Sequence, residues 1–255
     1  MKDDVQVAEV TMSRLVKQVN SGVAQERYGI GAQIIVPYTD PFDNITYDLP
    51  FNFGTFTAVG RRLGLQAHYG IPSQNIVYYP SEYNFTWYIS YFRKWANNVD
   101  ISDIKGSAYL GKRSFIESLP KDFTECLGNY AVMANGSTSK IDESTDNKIF
   151  LLSVTQSHAI GRNMISRSEA YGSYEDTVWE YWKQKIGDNA QPYGEVNTNR
   201  IVYAIENHSL PVATFTRSLY KGSSYHFLHY FRTDGKLFNI SSTGQMRYLP
   251  ACVIG

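Results

Sequence analysis

The sequence has no surplus of either charge: 24 Lys and Arg face 24 Asp and Glu, and charged residues make up only 19% of the 255. Without a basic excess there is no electrostatic footprint for nucleic-acid phosphates and no polybasic patch for an anionic membrane surface. No apolar run approaches the roughly 18 residues of a spanning helix, so membrane insertion is not expected. Met1-Lys2-Asp3-Asp4-Val5 places two acids where a secretory leader would be basic and then apolar. Cysteine is scarce. Cys126 and Cys252 lie far apart and form no C-x-x-C pattern, which points to two buried thiols in a reducing compartment. Five N-x-[ST] triplets, at Asn44, Asn84, Asn135, Asn207 and Asn239, then read as by-products of an Asn/Ser/Thr-rich chain.

What is abundant is aromatic: 20 Tyr, 13 Phe and 4 Trp, within a hydrophobic fraction of 43% that excludes general disorder. Tyr-rich, charge-poor composition suits broad contact surfaces and suits a thick β-rich core equally well.

Along the chain, Val5, Ala8, Met12, Leu15, Val16 and Val19 recur at helical spacing before Gly22. They predict an amphipathic helix over 5–20 whose stripe needs a partner in its own domain or in a neighbouring subunit. Gln33 to Val36 reads as a strand ended by Pro37, and 45–80 as short strands broken by Pro50, Gly54, Gly60, Gly64, Gly70 and Pro72. A short helix is expected within Trp87–Asn97, where Ile89, Phe92 and Ala96 fall at helical spacing with Ser90 early, then a polar loop over 134–148, a buried strand at Ile149–Leu152 and a helix over Asp176–Lys185. The last fifty residues read as a β meander whose final strand is expected over Tyr248–Ile254. One α+β domain follows, with helices early and strands late.

Catalytic and metal patterns are missing. Gly29-Ile30-Gly31 precedes a strand and lacks the third glycine of a dinucleotide fingerprint. The Asp142–Ser153 stretch has neither the glycine nor the glutamate of a calcium loop. His226 and His229 would point to opposite faces of one strand, and His68, His158 and His208 stand alone. Glu175 and Asp176 read as helix-opening acids. Arg217 and Arg247, set among apolar residues, read as forks that bond backbone carbonyls or a carboxylate. The run Tyr78, Tyr79, Tyr83, Phe85, Trp87, Tyr88 and Tyr91 reads as core, with stacking on sugars or a protein partner as the alternative.

Four segments, taken in order, resemble an uncharacterised bacterial and bacteriophage family with a C-type-lectin-like fold. They are Trp87-x-x-Ser90-x-x-Arg93-x-Trp95-x-Asn97, Asp146-Asn147-Lys148-Ile149-Phe150-Leu151-Leu152-Ser153, Thr216-Arg217-Ser218 and Arg247-Tyr248-Leu249-Pro250-Ala251-Cys252. The match in order and spacing runs over roughly 30–255. The resemblance implies a C-type-lectin-like domain at 29–255, preceded by an N-terminal helix or assembly arm at 1–28. Paired N- and C-terminal strands, flanking helices and long variable loops come with that fold. It implies that Trp87 and Trp95 anchor a helix, that Phe150, Leu151 and Leu152 form a central buried strand, and that Arg217 and Arg247 satisfy buried carbonyls. The acidic-Pro-Asn and Trp-Asn-Asp signatures of calcium-dependent lectins are absent, and Cys126 and Cys252 do not reproduce the cysteine pair of the related formylglycine-generating enzymes. No metal, no cofactor and no catalytic residue is therefore expected.

The function expected is that of a non-enzymatic structural protein of a tailed-phage virion, in capsid decoration, tail or fibre. Such a protein is made in the host cytoplasm and binds other virion proteins and copies of itself. The alternative is a lectin-like adhesin gripping a host-surface glycan or protein through loops near 160–200 and 216–245. Its candidate surface includes Tyr171, Tyr174, Tyr193, Tyr220 and Tyr225.

Overall fold

A computed structural model describes residues 10–57, 61–73, 87, 90–104, 107–134, 143–161, 177–220, 227–241 and 246–255. At 103, 131–134, 143–146, 219–220, 227 and 241 it describes the backbone alone. The described helices are α1 (Met12–Asn20), α2 (Ala24–Arg27), α3 (Tyr91–Asn97), α4 (Lys121–Thr124) and α5 (Glu180–Ile186). The strands are β1 (Gln33–Thr39), β2 (Thr46–Phe56), β3 (Leu63–Ala67), β4 (Ile71–Pro72), β5 (Leu127–Gly128), β6 (Tyr130–Ala134) and β7 (Glu143–Asn147). They continue as β8 (Val202–Tyr203), β9 (Pro211–Val212), β10 (Thr214–Tyr220), β11 (Phe227–Phe231), β12 (Leu237–Ser241), β13 (Arg247–Tyr248) and β14 (Ala251–Ile254). The α+β class is what the chain adopts, but strands do not wait for the second half: β1 to β4 all precede residue 73.

The first helix begins where Thr11 accepts a hydrogen bond from the Arg14 amide and ends before Gly22, whose φ of 79° suits glycine. Of the helix expected over 5–20, the part from Met12 is observed, and residues 1–9 lie outside the described residues. Its stripe finds a partner in its own chain, since Leu15 and Val19 are fully buried in the main core.

Two five-stranded sheets organise the fold, in the orders β1-β2-β3-β14-β5 and β12-β11-β10-β13-β4. The first is antiparallel throughout; in the second, β10 and β13 run parallel. The late segment expected as one strand over Tyr248–Ile254 is thus two, β13 in the second sheet and β14 in the first. Pro37 does not end β1, which continues to Thr39. As the outermost strand of its sheet, β1 tolerates a residue without an N–H.

Pro50 and Gly54 likewise lie within the single 11-residue strand β2. Both faces of this strand are covered. Phe51 packs on Phe123 at 5.4 Å between ring centroids, and Phe53 meets Tyr28 edge-on at 5.7 Å. On the opposite face, Trp179 lies flat over two glycines. A Cβ on Gly54 would overlap the indole, and one on Gly64 would come within 2.9 Å of it. These glycines make a seat for Trp179 rather than a break in the strand.

Two further expectations are corrected. The polar stretch 143–147 is a strand, β7, paired with β6 in a two-stranded ribbon. Ile149, Phe150, Leu151 and Leu152 are buried, but only Phe150 is bridged, to Ala251, so the segment is extended without being a sheet strand.

Candidate functional site

Two of the segments that carry the resemblance, 87–97 and 216–218, together with Ala251 from a third, converge on one stretch of backbone, 147–154, most of which is the remaining segment itself. Ser90 opens α3 by accepting from the Arg93 amide at 3.0 Å. The helix presents Arg93, whose Nε donates to Asn147 Oδ1 at 2.8 Å, and ends on Asn97. The Asn97 side chain acts as a clamp. Its Oδ1 accepts from the Lys148 and Ile149 amides at 3.0 and 2.8 Å, while Nδ2 donates to the Ile149 carbonyl at 2.8 Å. Phe150 and Ala251 then exchange both backbone hydrogen bonds, at 2.9 and 2.8 Å. Arg217 donates from Nη1 to the Leu151 carbonyl and to Gln156 Oε1, and its amide reaches the Leu152 carbonyl at 3.2 Å. Ser218 Oγ accepts from the Val154 amide at 2.9 Å.

This accounts for a buried segment outside any sheet: its polar backbone groups are satisfied by side chains and backbone from distant parts of the sequence. Trp95 anchors α3 by donating to the Arg113 carbonyl at 3.0 Å and stacking on Tyr109 at 4.7 Å. Trp87, 2% exposed, packs near Phe92, and the Pro250 carbonyl accepts from the Ala67 amide. Arg247 stands apart from this hub. It forks onto Glu206, whose carboxyl it holds below the usual range, and its Nη1 lies 3.4 Å from the Gly70 carbonyl.

Of the tyrosines expected on a binding surface, Tyr171, Tyr174 and Tyr225 lie outside the described residues, and Tyr220 is described by its backbone alone, at the end of β10. Tyr193 is half-buried. Its hydroxyl donates to Asn239, and its ring stacks on Phe238 at 5.3 Å. Phe238 is 38% exposed, and the Arg232 guanidinium sits 5.7 Å from its ring, so this end of the second sheet carries a small aromatic platform.

A pocket of about 70 Å³ opens on the outer face of the first sheet, lined by Asn52, His68, Tyr181, Trp182, Lys185 and Tyr203 among others. Asn52 Oδ1 accepts from Gln33 Nε2 at 2.9 Å and lies 3.1 Å from His68 Nδ1. That contact places the imidazole proton on Nδ1 and leaves Nε2 with its lone pair. Burial, reinforced by the charges of Lys185 and His208, lowers the His68 pKa from 6.5 to about 4. The ring is neutral at pH 7 and too weak a base for efficient proton abstraction there. The pocket suits hydrogen bonding to a small polar group.

Next to it, sharing Trp182, Val202 and Leu249, is a smaller cavity of about 10 Å³ that Arg200 also lines. Arg200 is 1% exposed, and burial lowers its pKa to about 9, so it remains charged at neutral pH. A wider, open groove of about 440 Å³ passes Pro72, Val212, Met246 and Arg247.

No protein-family model, curated protein or solved structure matches this chain. Functional inference therefore rests on the geometry and on the four sequence segments. Among the described residues, no group of three His, Cys, Asp or Glu could hold a metal ion, and no helix is long and apolar enough to cross a membrane. Cys126 and Cys252 are unbonded to each other; Cys252 is buried, which pushes its thiol pKa up, whereas Cys126 is only partly covered. Sequence reasoning did not single out Arg200, Asn52 or Lys185, and left His68 as a solitary histidine. Isolated polar residues without spacing carry no local signal; only the fold brings them together.

Proposed function

We propose that this chain is a non-enzymatic structural protein of a tailed-phage virion, built on a C-type-lectin-like domain and acting through protein–protein contacts with other virion proteins and copies of itself. The observation that carries the reading is the hub at 147–154. Ser90, Arg93, Asn97, Arg217 and Ser218 direct their polar atoms onto the chain's own backbone or onto each other's partners. Side chains used in this way build a scaffold, and a scaffold of this kind leaves loops and sheet edges for contacts. The pairing of β14 with β3 also supports the lectin-like reading, because it joins late and early strands of the domain. Mass spectrometry and antibody labelling of purified particles test the proposal. Stoichiometric presence is expected, with a copy number that separates capsid from tail; absence from particles would sink it.

The receptor-binding alternative draws on the Tyr193–Phe238 platform, since an exposed ring flanked by Asn239 and Arg232 suits stacking against a sugar. Binding of the purified chain to intact host cells, lost on Phe238→Ala, would favour it.

A further inference from the structure

Arg200 ends a short 3₁₀ turn, Thr198–Arg200, and its guanidinium is enclosed. Nε donates to Gln191 Oε1 and Nη2 to the His158 carbonyl at 3.2 Å. The rings of Phe231 and Trp182 lie 4.2 and 4.9 Å from its central carbon. Nη1 has no hydrogen-bond partner, and no carboxylate pairs with this arginine among the described residues. Ring faces and carbonyl dipoles offset part of the charge, but a buried cation with a donor left over is costly unless a counter-charge accompanies it.

The cavity that Arg200 lines is about 10 Å³, room for one small body, a water or a monatomic ion. Ser157 and Thr214, each carrying a hydroxyl, line the same cavity. Thr216, also in the wall, already donates to the His229 carbonyl at 2.9 Å. A carboxylate or phosphate is too large for this space. A water would accept from Nη1 yet leave the charge uncompensated. We infer that the cavity beside Arg200 is a binding site for a single halide-sized anion, chloride in physiological media, held by the guanidinium and the two neighbouring hydroxyls. Trp182, Val202 and Leu249 stand between it and the outer pocket, where Lys185 places a further positive charge on the same side of the molecule. This site is independent of the virion reading.

Crystals of the full chain grown in sodium bromide provide the direct test. An anomalous peak in contact with Arg200 Nη1 is expected, together with a thermal midpoint that rises with chloride relative to gluconate at equal ionic strength. Bromide found only on the outer surface, a water refined at Nη1, or equal midpoints in the two salts would overturn the inference. Arg200→Gln should abolish the chloride dependence. Should that variant fail to fold, Thr214→Val, which keeps shape and removes one donor, should weaken the apparent chloride affinity about tenfold. An unchanged affinity in Thr214→Val would count against the hydroxyls as ligands and against the site.

Discussion

The two sheets are held by different means. In the first, order comes from shape: aromatic rings fill one face, and on the other Trp179 fits over Gly54 and Gly64 with no room for a single added carbon. In the second, and in the strap at 147–154 that ties it to the first, order comes from hydrogen bonding. Thr214, Thr216, Arg217, Ser218 and His229 are all buried there, and most polar bonds in the hub use a side chain distant in sequence. Shape tolerates no added volume but is indifferent to pH. Polar networks tolerate small changes of volume but not the loss of a partner.

The sharpest way to break this contrast is Asn97→Ala. It strands the Lys148 and Ile149 amides and the Ile149 carbonyl, and should cost about 4 kcal/mol in urea unfolding. A loss below about 1 kcal/mol would show that the strap is held by packing instead. Next comes pH. His68, half-buried just after β3, has its folded pKa lowered from 6.5 to about 4, chiefly by desolvation, so the unfolded state takes up the proton first as pH falls. Its contribution is fully present above pH 6.5 and is lost progressively toward pH 4, by about 3 kcal/mol in total. Equilibrium unfolding measured across that window should show the slope, and His68→Gln should flatten it. A smaller effect, about 2 kcal/mol, is expected from Gly54→Ala, with relief in the double variant Gly54→Ala/Trp179→Leu. If the double variant is no better than the sum of the singles, the glycine seat is not what positions Trp179. The smallest belongs to the exposed fork: Glu206→Gln should change stability by less than about 1 kcal/mol, and less still in high salt.

How much of this was legible in the sequence follows from where each residue's partners lie. Helix α3 was readable because its cap, Ser90, and its buried face fall within one local pattern. The stretch 149–152 was readable as buried but not as a non-strand, since its hydrogen bonds go to Asn97, Arg217 and Ala251, and no local pattern announces them. Gly54 and Gly64 looked like breaks because the indole that needs them arrives from the other side of the chain. Pro37 looked like a stop because its place on a sheet edge is a tertiary fact. Strand β7 was missed because its five residues, Glu143–Asn147, are all polar and show no apolar alternation; only its pairing with β6 marks it as a strand. His68 and Arg200 had no local signal at all.

One feature of the first sheet governs time as well as stability. The inner edge of β3 pairs with β14, and among the described residues no strand synthesised in between pairs with that edge. At about 5–20 residues per second, the ribosome leaves β3 with an unpaired row of backbone groups for on the order of ten seconds before its neighbour emerges. An open edge beside a Leu- and Phe-rich face is a template for pairing with another nascent chain. Production of this protein should therefore be limited by how well that edge is shielded during synthesis, and slower initiation or added holdase chaperones should raise soluble yield more than any stabilising substitution in the finished fold.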